Sequence, residues 1–221
     1  METKSIERDG VKLVYAVHGE GRPIVLAHGN GETHKIFDDA IQKLADKGFK
    51  VIAPDTRGHG ESGNVERLYY TDIAEDYVKI IEAEKLQKPI FCGFSDGGIV
   101  GLLIAIKHPD LLDKLITCGA NLNPFAIKPF VQFAVKVIFF FTRNDKFRMM
   151  LEQPDIKPWE LEQIKVPAVI INAEKDVVLE SHARLIAQSI PDAELVLVPN
   201  EKHQTYVLDN EKFLKILEPH I

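Results

Sequence analysis

One stretch limits the folds open to this chain more than any other: residues 89–106, PIFCGFSDGGIVGLLIAI. A short apolar run, Pro89 to Phe94, meets Gly93-Phe94-Ser95-Asp96-Gly97 and passes at once into a helix-compatible run ending near Ile106. That is a strand, a tight turn with a serine at its apex, and a helix. Such an elbow strains the serine backbone and lifts its hydroxyl clear of the strand. Gly93, Gly97 and Gly98 let the helix cross close to the strand, where a side chain would collide. The bare G-x-S-x-G spacing is weak evidence, and the flanking strand and helix are what sharpen it. The competing reading makes Ser95 only the N-cap of the helix that opens at Asp96.

The rest of the chain repeats the same strand–helix rhythm. Lys12–Val17 and Pro23–Ala27 are short β-rich runs separated by His18-Gly19-Glu20-Gly21, which has the composition of a hairpin turn. A glycine-rich loop, His28-Gly29-Asn30-Gly31-Glu32, leads to a helix starting near Thr33 or His34. Phe49–Ala53 reads as a strand, followed by a second glycine-rich loop, Asp55 to Ser62. Helices are expected at Tyr70–Leu86 and Leu179–Ile190, with a last one at Tyr206–Leu217. Strands are expected at Leu111–Gly119, Val166–Ala173 and Ala193–Val198. The alternation predicts an α/β protein, with a mostly parallel central sheet covered by helices on both faces.

Residues 121–159 break the rhythm. They hold seven of the twelve phenylalanines in mostly helix-compatible spacing. We expect one domain over residues 1–221, with these residues inserted as a small helical lid.

Composition excludes several classes. A formal charge of −6, with no basic run carrying interleaved aromatics, argues against a nucleic-acid binder. No apolar stretch is long enough to span a bilayer, and METKSIERDG lacks a signal peptide's apolar core. Cys92 and Cys118 read as buried free thiols, and a cytoplasmic protein is expected. His34, His182 and His220 lack ligand spacing, so no metal or organic cofactor is called for.

In a parallel sheet, loops beyond the carboxyl ends of the strands share one edge. Asn30, Ser95, Asp176 and His203 all lie on such loops. A serine hydroxyl needs a base to take its proton, and His203, after the last strand, suits that role. Asp176 would accept the other imidazole N–H, with Glu174 its nearer rival. An oxyanion would rest on the backbone N–H groups of Asn30 and Asp96. The order Ser95, Asp176, His203 agrees with the elbow.

LAHGNG (26–31), APDTRGHGES (53–62), GFSDGG (93–98), AEKD (173–176) and the late His203 together resemble the α/β-hydrolase fold superfamily, serine hydrolase branch. The resemblance implies a hydrolase cleaving a small-molecule ester through an acyl-enzyme, a carboxylesterase. It implies a triad of Ser95, Asp176 and His203, and a scaffolding role for Arg57, Gly58, His59 and Gly60. Amidases or aminopeptidases, C–C bond hydrolases and perhydrolases share such a triad, and a non-catalytic ligand-binding protein of the same fold is the alternative outside enzymes. The short lid implies an apolar pocket, for which Phe125, Phe130, Phe133 and Phe140 are the candidate lining residues. The apolar run Phe130–Phe141 is also a candidate homodimer patch. Asp96 after the serine has two readings, a capping or ion-paired group, or an acceptor for a cationic ester.

Overall fold

Short apolar runs become strands where both faces are covered, and together with a charged edge segment at the N-terminus they give this chain eight strands in a single sheet. A computed structural model describes all of residues 1–221. The strands are β1 (Glu2–Arg8), β2 (Val11–His18), β3 (Arg22–Ala27), β4 (Phe49–Pro54), β5 (Ile90–Phe94), β6 (Lys114–Cys118), β7 (Ala168–Lys175) and β8 (Ala193–Lys202). Their order across the sheet is β1-β2-β4-β3-β5-β6-β7-β8. The β1–β2 and β2–β4 pairs are antiparallel and all later pairs are parallel.

The first hairpin lies elsewhere than the sequence suggested. β1 and β2 are joined by Asp9-Gly10, both at positive φ (53° and 74°), the conformation that a two-residue type I′ turn requires. The His18–Gly21 segment forms no hairpin, because β4 lies between β2 and β3. It crosses the start of β4 so closely that a Cβ on Gly19 would lie 2.3 Å from the Phe49 carbonyl oxygen.

Eight α-helices accompany the sheet: α1 (Asp38–Asp46), α2 (Tyr70–Ala83), α3 (Asp96–Lys107), α4 (Pro129–Thr142), α5 (Asp145–Glu152), α6 (Glu180–Ser189), α7 (Thr205–Leu208) and α8 (Asn210–Leu217). Alternate strand residues feed two cores. Val25, Ile52, Phe91, Leu115 and Ile170 point to the side covered by α2, α3 and α6. Ile24, Val51, Ile90, Ile116 and Ile171 point to the side covered by α1, α7 and α8. Cys92 and Cys118, on neighbouring strands, are buried free thiols.

Between β6 and β7 the chain leaves the sheet to form α4 and α5. Buried Arg148 on α5 ties this excursion to the loop before α2 by donating to the Leu68 carbonyl (2.8 Å), and Asp145, held by Arg148 on the same helix, accepts the Leu68 N–H (2.6 Å). No helix is long and apolar enough to cross a membrane.

Candidate active site

The elbow joins β5 to α3. Ser95 sits at φ 53° and ψ −113°, a backbone region that side-chain-bearing residues seldom occupy. Hydrogen bonds hold it there: its N–H donates to the Cys118 carbonyl at 2.7 Å, and its carbonyl accepts from Gly98 and Ile99 at 2.9 and 3.1 Å. The tight crossing requires glycine. A Cβ on Gly93 would lie 2.1 Å from the Gly97 oxygen, and one on Gly97 would lie 2.2 Å from the Ala27 oxygen. The Ser95 hydroxyl makes no capping bond to α3, which removes the N-cap reading. It faces His203 instead, at 3.0 Å from Nε2.

His203 follows β8 and Asp176 follows β7, so the parallel β7–β8 pairing brings them to one end of the sheet. His203 Nδ1 lies 2.6 Å from Asp176 Oδ1. The carboxylate is buried and also accepts the N–H of Val178 at 2.9 Å, which fixes its direction. With Nδ1–H donated to Asp176, the imidazole presents an unprotonated Nε2 to the serine. Glu174 is exposed and accepts the Asn200 N–H at 2.6 Å, away from the imidazole.

Gly119, just past β6, was not singled out in the sequence. It has φ +68°, and a Cβ there would lie 2.7 Å from His203 Cε1 and 2.8 Å from Nδ1. Its signal was a glycine directly after a strand. Gly119→Ala should displace the ring and lower kcat by roughly 10²-fold, since small misplacements of a reacting group cost about that much. A kcat unchanged in a folded Gly119→Ala protein would remove this positioning role.

The loop after β3 is held through side chains. The buried His28 donates Nδ1–H to the Gly29 carbonyl (2.8 Å) and accepts the Thr56 N–H at Nε2 (3.0 Å). Burial pushes its pKa down to about 4, so it is neutral and both nitrogens are occupied. His59 accepts the Gly31 N–H at Nε2 (3.0 Å), and burial likewise lowers its pKa to about 4. The Gly29 N–H goes to Glu32 at 3.0 Å. Of three successive amide hydrogens, the first and third are taken, and that of Asn30 has no acceptor within the chain. Asp96 opens α3, where the first N–H groups have no intrahelical acceptor.

The Asp96 side chain turns towards α2. Its Oδ1 accepts the Tyr70 hydroxyl at 2.7 Å, while the buried Oδ2 has no partner. Burial pushes its pKa up to about 6, against the Tyr70 hydroxyl, the nearby Asn30 side chain and the charge of a protonated His203, which favour the anion. This carboxyl faces a recess of about 40 Å³ that also touches Ser95, His203, Asn121, Val131 and Gln153. A larger cavity, about 840 Å³, adjoins it at Ser95, His203, Val131, Met150 and Val177 and extends past Asn30, Phe130 and Phe147. Lys146, Lys175 and Lys202 stand around it without a carboxylate partner.

The expected aromatic lining is largely displaced. Of the four named phenylalanines, only Phe130 borders the cavity that contains Ser95. Phe125 borders a separate groove, and Phe133 and Phe140 point to solvent, at 69% and 63% exposed. Helix α4 turns the opposite side, marked by buried Val135, towards the protein. Lining comes instead from Val131 and from Phe147 and Met150 of α5. Tyr70 and Gln153 were invisible to sequence reasoning, since neither belongs to a motif.

The chain is similar in sequence and in fold to known proteins. The model of the alpha/beta hydrolase fold family matches residues 22–149. The human protein named serine hydrolase BPHL is 30% identical, over 95% of this chain and 83% of its own length. The AB hydrolase superfamily protein YisY of Bacillus subtilis is 26% identical, over 90% of this chain and 91% of its own. Among solved structures, Est816, described as an N-acyl homoserine lactone degrading enzyme, superposes with a TM-score of 0.83. It is 22% identical, over 99% of this chain and 100% of that one, a likeness of fold.

Proposed function

The chain belongs to the alpha/beta hydrolase fold family, and on that premise we propose that it is a serine hydrolase cleaving carboxylic esters of small acids through an acyl-enzyme. The observation that carries this reading is the continuous line from Ser95 Oγ to His203 Nε2 (3.0 Å) and from His203 Nδ1 to Asp176 (2.6 Å). In this reading Ser95 Oγ attacks the ester carbonyl as His203 takes its proton, and Asp176 stabilises the imidazolium that forms. The negative oxygen rests on the N–H groups of Asn30 and Asp96. His203 then protonates the departing alcohol, and a water molecule, deprotonated in turn by His203, releases the acid and restores the serine.

The sizes of the two spaces beside Ser95 support an assignment of substrate ends. The recess of about 40 Å³ has room for only a few heavy atoms and suits the acyl group. The cavity of about 840 Å³ suits the alcohol. Labelling with a fluorophosphonate, followed by p-nitrophenyl esters of increasing acyl length, tests the reading. The label should attach at Ser95, and kcat/KM should fall as the acyl chain lengthens. Failure of the folded protein to label defeats it.

A narrower reading concerns the acyl group. Asp96 Oδ2 is buried, unpaired and beside the recess, so an ammonium group on the acyl part would supply its missing partner. Asp96→Asn keeps an acceptor for the Tyr70 hydroxyl and removes the charge. It should lower the preference for aminoacyl esters over uncharged esters of equal size by about tenfold or more, from the lost charge-assisted hydrogen bond. The same change should stabilise the free protein. A carboxyl with its folded pKa raised to about 6 from 3.8 binds more protons when folded, so stability falls as pH rises through that window. The gain in Asp96→Asn should be absent below about pH 4, grow towards pH 6 and be full above it, on the order of 2–3 kcal/mol. Thermal unfolding across that range checks it. A preference and a stability both unmoved would leave Asp96 without this role.

A further inference from the structure

We propose that α4 seats this protein on the surface of an anionic lipid bilayer, lying in the plane of the interface. This goes beyond the hydrolase reading and does not depend on it. Phe130, Phe133, Val137, Phe140 and Phe141 follow one another at helical intervals of three, four, three and one. At 100° per residue they fall within an arc of about 100°, a single stripe along the helix. All five are exposed, from 39% for Val137 to 79% for Phe141. The buried Val135 lies on the opposite side, so the stripe faces away from the protein. Phe125 adds to the patch from the preceding turn at 83% exposure. Apolar side chains gathered in this way on a water-soluble surface mark a binding face.

Charge selects the occupant. The protein carries −6 overall, yet no aspartate or glutamate occurs between Asp113 and Asp145, and the two carboxylates that share a groove with Phe125 and Lys136, those of Glu152 and Asp155, are paired with Arg148 and Lys157. Lys136 borders the stripe, Lys128 and Arg143 stand at the two ends of the helix, and none of the three forms an ion pair. Arg143 lies over the rings of Phe139 and Phe140, at 5.7 and 5.3 Å from their centroids, which keeps its charge beside the apolar arc. A second copy meeting this face across a two-fold axis would bring the same three cations together, which opposes pairing. Anionic headgroups complement them, and phenylalanines flanked by basic residues are the composition of helices that rest in a membrane interface. The helix of 14 residues is about 21 Å long, too short to cross the hydrocarbon core, so it lies along the surface. Because Phe130 also borders the Ser95 cavity, a protein seated in this way would open that cavity beside the lipid.

Flotation of the full chain with vesicles tests the proposal. Vesicles of equal parts phosphatidylcholine and phosphatidylglycerol should bind it about tenfold or more tightly than phosphatidylcholine alone, and added salt should weaken that binding. The double variant Phe133→Ser/Phe140→Ser and the double variant Lys136→Glu/Arg143→Glu should each lose at least about tenfold of the affinity. These four residues lie outside the Ser95 cavities, so turnover of a soluble ester should persist and report that both variants are folded. Absence of binding to either vesicle, or binding that the phenylalanine variant retains, overturns the proposal. A stable dimer in light scattering that the phenylalanine variant breaks would assign the face to a second copy and also overturn it.

Discussion

Ser95→Ala should lower kcat for a small ester by roughly 10⁴–10⁶-fold with little change in KM, and should abolish fluorophosphonate labelling. The hydroxyl is the one group in contact with His203 Nε2, and alanine offers nothing to accept the acyl group. Its fold should survive, since the strained turn is held by backbone hydrogen bonds and close glycine packing rather than by the hydroxyl. Loss of a strained, side-chain-independent constraint is not involved, so the melting temperature should stay near that of the parent. His203→Ala should cost a similar factor, and the double variant little more than either single one, because groups acting as one unit are non-additive. Residual turnover above background would come from the Asn30 and Asp96 amides. Ester turnover retained at more than a tenth of the parent rate in Ser95→Ala would end the serine hydrolase reading.

The largest expected effect on stability lies away from the serine, at Asp76. This carboxylate on α2 is buried and takes two hydrogen bonds from the buried Arg57, from Nε and Nη2, each 2.5 Å long. Arg8 Nη1 adds a third at 3.0 Å. Asp76→Ala would leave the Arg57 guanidinium buried with only Asp72 near it, at 3.9 Å. Breaking a buried pair from one side costs about 3–5 kcal/mol, which for a chain of this size lowers the melting temperature by roughly 10 °C. Replacing both members, as in Arg57→Met/Asp76→Leu, should recover much of the loss, because no charge is then stranded. Thermal unfolding of the three proteins decides the matter. If Asp76→Ala melts within a degree or two of the parent, the pair has no structural weight. The pair also bears on the site, since Arg57 begins the Arg57-Gly58-His59 loop whose imidazole holds the Gly31 amide beside Asn30.

Local chemistry made part of this legible in advance. The elbow at Ser95 could be read because a strand, a glycine-flanked serine and a helix adjoin in sequence, and its strain is a local property. The parallel sheet followed from the spacing of apolar runs. The edge strand β1 went unread because ETKSIER interleaves charge with few apolar residues, as an exposed edge permits. The Asp9-Gly10 turn that closes its hairpin was nevertheless present as a strong local signal. The opposite error arose at His18–Gly21, where turn-forming residues announce a reversal without saying which strand the chain will pair with next.

The chain's order of residues thus determined which chemical groups stand at strand ends, and which helix carries the phenylalanines. Tertiary structure alone decided what each group meets. It chose Asp176 over Glu174 for the imidazole, left the Asn30 amide free by occupying its neighbours, and turned α4 so that Phe133 and Phe140 face outward. The reason is physical: backbone strain and periodicity depend on neighbours in sequence. Hydrogen-bond partners, burial and the facing of a helix depend on groups that only the packed sheet brings together.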